Sequence, residues 1–147
     1  MMSELDAIIL TIDMAAPRGV VWRCLTETDC IRAWWNPGVS LAPRVGGRFT
    51  EPWRDADGRE FVTSGEVVQI AEPELLVLTW ADADWVVETT VRWRLAGRSG
   101  GTHLELVHLG WEQFPEDQRA GLMDDHTAGW RQHLQALKAY AEAAAHS

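Results

Sequence analysis

The chain has 147 residues, 46% hydrophobic and 24% charged, the composition of one globular domain with room for a single core. Its formal net charge of -9 sets 22 acidic residues against 13 basic ones. The basic residues are scattered, so no stripe exists to displace counterions and nucleic acid is not an expected partner. No apolar run approaches the ~20 residues that cross a bilayer, which argues against membrane insertion. The opening residues carry acid where a secretory leader carries positive charge, so a cytoplasmic location is expected. Cys24 and Cys30 are too few for a disulfide framework and read as free thiols.

In chain order, residues 5–14 alternate in side-chain character like a half-buried strand. Pro17 suits a helix start, and Val20, Val21, Cys24 and Leu25 give residues 17–25 an apolar face. Thr26, with Asp29 three positions on, is expected to cap a second short helix that carries Cys30, Ile31, Trp34 and Trp35 and stops before Pro37. Neighbours on a helix point about 100° apart, so Trp34 and Trp35 cannot both bury against one surface. One is expected to seal the helix and the other to face the interior.

Residues 45–55 and 59–72 read as a hairpin turned at Asp57-Gly58, and residues 75–80, 86–96 and 102–110 as three further strands. In these strands Val87, Thr89, Val91, Trp93 and Leu95 share one face, as do Leu104, Leu106 and His108. After Pro115 an acidic turn leads into a helix expected over 122–145, about 36 Å long, with Met123, Trp130, Leu134, Leu137 and Ala141 on one stripe. Asp124, Asp125 and His126 are read as favourable residues near its start. His126 and His133 share a face, but no third ligand stands at a suitable spacing and no metal is expected. The predicted fold class is α+β: a curved six-stranded antiparallel sheet around a long C-terminal helix, with two short helices between strands 1 and 2, in one domain spanning 1–147.

Several stretches share an order with a known family. They are Ala33-Trp34-Trp35, Gly46-Gly47-Arg48-Phe49, Gly65-Glu66-Val67 with Pro73, Leu78-Thr79-Trp80, Gly101-Thr102 with Leu104, Leu106 and His108, and Gly129-Trp130 with Leu134 and Leu137. In this the chain resembles the START-like, helix-grip proteins of the SRPBCC superfamily. Within it, it is similar to the AHSA-type group, homologues of the C-terminal domain of the activator of heat-shock-protein-ninety ATPase. The resemblance implies the helix-grip fold. For function it leaves lipid and aromatic-ligand carriers, cyclases and co-chaperone modules open.

Nine tryptophans, against three phenylalanines and one tyrosine, exceed what a small core easily packs at ~150–250 Å² each. The leading expectation is therefore a cavity between sheet and terminal helix that takes a hydrophobic or aromatic small molecule. Its expected lining is Trp34, Trp35, Phe49, Trp53, Trp80, Trp93, Leu106, His108, Met123, Trp130 and Leu134, and no cofactor is expected. His108 faces inward near a strand end, where an imidazole either orients a ligand or is satisfied by its neighbours. Gly129, costing ~1 kcal/mol in a helix, either lets the helix approach the sheet or leaves space beside Trp130. Either way, alanine there is expected to disturb the fit. The alternative is a co-chaperone-like interaction module, with a chaperone partner or a homodimer and with Trp111 to Phe114 as its exposed patch. A cyclase-type enzyme comes third, because His108, Glu51 and Tyr140 form no recognisable catalytic constellation.

Overall fold

A computed structural model describes residues 7–146. Seven strands form one antiparallel sheet: β1 (Ile8–Met14), β2 (Ser40–Leu41), β3 (Arg48–Arg54), β4 (Glu60–Ala71), β5 (Leu75–Trp80), β6 (Thr89–Arg98) and β7 (Gly101–Leu109). Their spatial order is β1-β7-β6-β5-β4-β3-β2. Helices α1 (Arg18–Thr26) and α2 (Thr28–Trp34) lie between β1 and β2, a 3-10 turn covers Trp111–Gln113, and α3 (Glu116–Ala145) follows.

The expected six strands become seven because Ser40 and Leu41 pair with Thr50 and Phe49. Two residues are too few for an alternating pattern to register in sequence. The first strand is seen from Ile8; Leu5 and Asp6, which the expected span included, lie outside the described residues. The sixth strand starts at Thr89 rather than at residue 86, since Val86 is 99% exposed in the preceding loop.

The helices differ from expectation at their starts. Thr26 does not cap α2: its hydroxyl donates back to the Trp22 carbonyl at 2.8 Å, and Glu27 takes the position between the helices. A buried threonine inside a helix satisfies its hydroxyl within its own preceding turn. α3 begins at Glu116 behind Pro115 and runs 30 residues, about 45 Å rather than about 36 Å. Glu116 and Asp117 occupy its first turn and take the favourable place at the positive end of the macrodipole. Asp124, Asp125 and His126 sit about two turns further in, so their placement needs another reason.

The inner face of the sheet is mostly apolar, with Met14, Phe49, Val67, Leu76, Leu78, Val91, Leu95, Leu104 and Leu106 all buried and Thr63, Thr89 and His108 as buried polar residues among them. On α3 the buried residues are Trp130, Leu134, Leu137 and Ala141, a spacing of 3 to 4 that gives one stripe. α3 runs close to β1, α1 and α2. It spans the remaining distance to β5 and β6 with an indole, the Trp130 ring centring 4.9 Å from Trp80 and 5.5 Å from Trp93.

Two glycines of the shared motifs have a steric reason. A Cβ on Gly65 would strike the Thr79 carbonyl oxygen, and one on Gly47 the Ala42 carbonyl oxygen. Both contacts are with backbone, which cannot swing aside. Gly65→Ala is expected to lower stability by about 1–3 kcal/mol, the usual result of overpacking, read as a fall in the urea midpoint at unchanged slope.

Candidate functional site

The two adjacent tryptophans divide the work that one helix face cannot do. Trp34 is buried and donates its indole N–H to the Cys24 carbonyl at 2.8 Å, tying α2 to α1. Trp35, half-buried, turns toward the sheet. Its ring centres lie 5.4 Å from Phe49, 6.2 Å from Trp80, 5.7 Å from Trp130 and 4.7 Å from His133. With Trp93 these rings fill the space between sheet and α3. Where the stack ends, a cleft of about 340 Å³ opens between β3–β5 and α3.

Each wall comes from a known element. Glu51 and Trp53 alternate inward from β3, Thr63 from β4 and Trp80 from β5, with Asp82 just beyond it; α3 supplies Asp125, His126, Gly129, Trp130 and His133. Their spacing of 3 to 4 along α3 puts these residues on one face. Gly129 keeps the cleft open, since a Cβ there would meet nothing within 4 Å. This corrects the expectation that alanine would disturb the fit.

The polar groups form two sets. Trp53 donates to the Thr63 hydroxyl at 2.9 Å, and that hydroxyl donates to Asp82 at 2.6 Å. The other Asp82 oxygen lies 3.6 Å from His126 Nε2. His126 Nδ1 donates to the Leu122 carbonyl at 2.9 Å, so Nε2 carries a proton toward Asp82 only in the imidazolium form. In the second set, Trp35 Nε1 donates to Glu51 at 3.0 Å. Burial pushes the Glu51 carboxyl above its ordinary range, against the lowering effect of the Trp35 bond. Burial also takes His133 down to about 4, so its ring is neutral at pH 7. The Trp80 indole nitrogen is buried with no hydrogen-bond partner.

His108 is fully buried behind this cleft. Trp130 Nε1 donates to its Nδ1 at 3.0 Å, which assigns the His108 proton to Nε2. Nε2 then donates to Thr89 Oγ1 at 2.7 Å, and the Thr89 hydroxyl donates to the Trp80 carbonyl at 2.8 Å. Both ring nitrogens are engaged within the protein. Desolvation, followed by the nearby His126, takes its pKa down to about 2.

Of the residues expected to line the cavity, Trp53, Trp80 and Trp130 border the cleft. Trp35, Phe49 and Trp93 form the stack behind it; Leu106 and Leu134 are core, Trp34 belongs to the α1–α2 contact, and Met123 is half-buried against the core cluster. Glu51 does not join His108, and Tyr140 stands beside Cys30 instead. Trp111 and Phe114, expected as an exposed patch, are buried against Trp85 and His126. Sequence reasoning did not collect Thr63, Asp82, Asp125, His126 and His133 into one site. The α3 members carried a signal in their common face; Asp82, in a loop, carried none. Among the described residues no three His, Cys, Asp or Glu side chains group closely enough to hold a metal ion, and no helix is long and apolar enough to cross a membrane.

An antiparallel sheet gripping a long helix, with an aromatic cleft at one end of their contact, defines the helix-grip class that the motif order implied. The chain belongs to the family described as Activator of Hsp90 ATPase homolog 1-like protein, whose model matches residues 15–142. It is similar to a protein of Nitrosomonas europaea, with TM-score 0.77, 22% identity and 97% of each chain covered. A protein of Mesorhizobium loti superposes with TM-score 0.74 and 25% identity over 91% of this chain and 95% of that one. The Aha1 dimer of Colwellia psychrerythraea does so with TM-score 0.74 and 19% identity over 92% and 96%. No curated protein matches the chain in sequence.

The buried histidines make stability depend on pH with a definite sign. Unfolded, His108 takes a proton near 6.5; folded, it does so near 2, and His133 near 4. Below pH 6.5 the unfolded chain therefore binds more protons, and stability falls as pH falls, each histidine contributing at most about 1.4 kcal/mol per pH unit. Glu51, whose folded pKa is raised, contributes with opposite sign at the acidic end. Urea midpoints between pH 7 and 4 are expected to decline, and His108→Gln to flatten that decline. Gly129→Ala is expected to stabilise the protein by up to ~1 kcal/mol through helix propensity, measured by thermal unfolding.

Proposed function

We propose that the chain is a small-molecule-binding protein whose cleft between β3–β5 and α3 takes a ligand with an aromatic or otherwise apolar body. The observation that carries this reading is the cleft itself: about 340 Å³, walled by the indoles of Trp53, Trp80 and Trp130. Its size falls at the lower end of the ~300–1,000 Å³ typical of ligand sites, and its three indoles share the walls with Glu51, Thr63, Asp82, Asp125, His126 and His133. Affinity comes from burying ring surface, and orientation from Glu51, Asp82 and the two histidines. His108, saturated within the core, positions Trp80 and Trp130 without touching the ligand.

A second reading, a protein-interaction module with a chaperone or a second copy as partner, draws on the family and on one feature of the sheet. β1 is an edge strand, and its Ile9 is 45% exposed. Sedimentation of the purified chain and pull-down with a heat-shock-protein-ninety homologue test it, a monomer without capture counting against it.

Ligand entry beside three indoles is expected to quench tryptophan fluorescence. Trp53→Ala, at the half-buried rim, is expected to weaken binding about tenfold. Gly129→Met, which extends a side chain into the open space, is expected to abolish binding while the melting temperature holds or rises. Absence of quenching across lipids, polyketide-like and flavonoid-like compounds would remove the proposal.

A further inference from the structure

We propose that the cleft selects an organic cation, a ring or short apolar body carrying an ammonium group. This rests on the small-molecule reading above and specifies its ligand chemistry. Every formally charged residue lining the cleft apart from its histidines is acidic: Glu51 from β3, Asp82 beyond β5 and Asp125 from α3. Neither lysine nor arginine is among them, and the remaining titratable groups are His126 and His133 of α3. The walls point the same way by an independent route. The face of an indole carries negative quadrupole density, which attracts an ammonium and repels a carboxylate, and more strongly where water is excluded. The indoles of Trp53, Trp80 and Trp130 line the same volume that the carboxylates border.

Glu51 is the group best placed to meet the charge. One of its oxygens accepts the Trp35 indole N–H at 3.0 Å, which anchors the side chain, and that is the one hydrogen bond it makes among the described residues. Its burial away from water raises the free energy of the ionised form, and a neighbouring ammonium offsets that rise. An anionic ligand would meet three carboxylates and no fixed cation. A bare metal ion is a poor fit because the acidic and histidine groups do not converge. The chain's formal net charge of -9 adds long-range attraction for a cation approaching through solvent.

The test compares one ring with three head groups: benzyltrimethylammonium, benzyl alcohol and benzoate, titrated calorimetrically into the intact protein at neutral pH and low salt. The ammonium is expected to bind at least about tenfold more tightly than the alcohol, with benzoate undetected. Added salt is expected to weaken the ammonium and leave the alcohol unchanged. Glu51→Gln is expected to weaken the ammonium several-fold while the alcohol holds. Asp125→Asn, at an exposed position where folding is not at stake, is expected to do the same to a smaller degree. Acidification is expected to release the ammonium selectively as Glu51, whose carboxyl burial pushes up, takes a proton and as His133 gains charge near pH 4, with Asp82, Asp125 and His126 the other ionisable groups facing the cleft. Alcohol or benzoate binding as tightly as the ammonium overturns charge selection and leaves the small-molecule reading standing. Failure of all three probes overturns the organic-cation assignment, and the fluorescence screen then decides the small-molecule reading.

Discussion

The position of Trp130 is the constraint on which the rest of this structure depends. Its ring stands between α3 and the strands β5 and β6, and its N–H is held by a buried imidazole, so it has one orientation. Because an indole is deeper than an aliphatic side chain, the helix stands away from the sheet at this end. At the other end, Leu134, Leu137 and Ala141 bring it down beside β1 and α1. A helix propped in this way leaves a wedge of space, and the wedge is the cleft. Trp35 and Phe49 fill its narrow part; the acidic and histidine side chains border its wide part.

The polar groups behind and inside the cleft are kept apart by hydration. His108 has lost all water, and a charged imidazole there would have no compensation, so the neutral ring is locked into a chain of bonds through Thr89 to the Trp80 backbone. Groups nearer solvent keep unspent capacity. Glu51 has one indole partner, and His126 offers a single nitrogen toward Asp82. A saturated network beneath an unsaturated one is the arrangement by which a rigid core holds recognition groups in place. It also explains how acidic residues come to lie near the middle of α3. Asp125 and His126 belong to the cleft face, and the start of the helix is stabilised by other acids.

Much of the fold was legible in the chain because its signals are local. Alternation along 86–96 and 102–110 marks two strands, found at Thr89–Arg98 and Gly101–Leu109, whose inward Val91, Trp93, Leu95, Leu104, Leu106 and His108 are buried, and the stripe from Trp130 to Ala141 marks a helix with one apolar face. The turn at Asp57-Gly58 reads correctly because Gly58 takes a positive φ of 79°. Misreadings fall where local signals are weak or compete. The two residues of β2 have no periodicity of their own, and the acidic turn after Pro115 merges with α3 instead of preceding it. Thr26 offered a plausible cap, but burial gave its hydroxyl a nearer acceptor.

The chain alone determined that an antiparallel sheet must cover a long amphipathic helix and that Trp34 and Trp35 must part. These follow from periodicity and side-chain volume, which neighbours in sequence express directly. Only the tertiary structure decided which indoles fill the core and which face the cleft, that Asp82 meets His126 across two elements, and that His108 is saturated. Those outcomes depend on strand register and on how far α3 stands from the sheet, distances set by contacts between residues far apart in the chain.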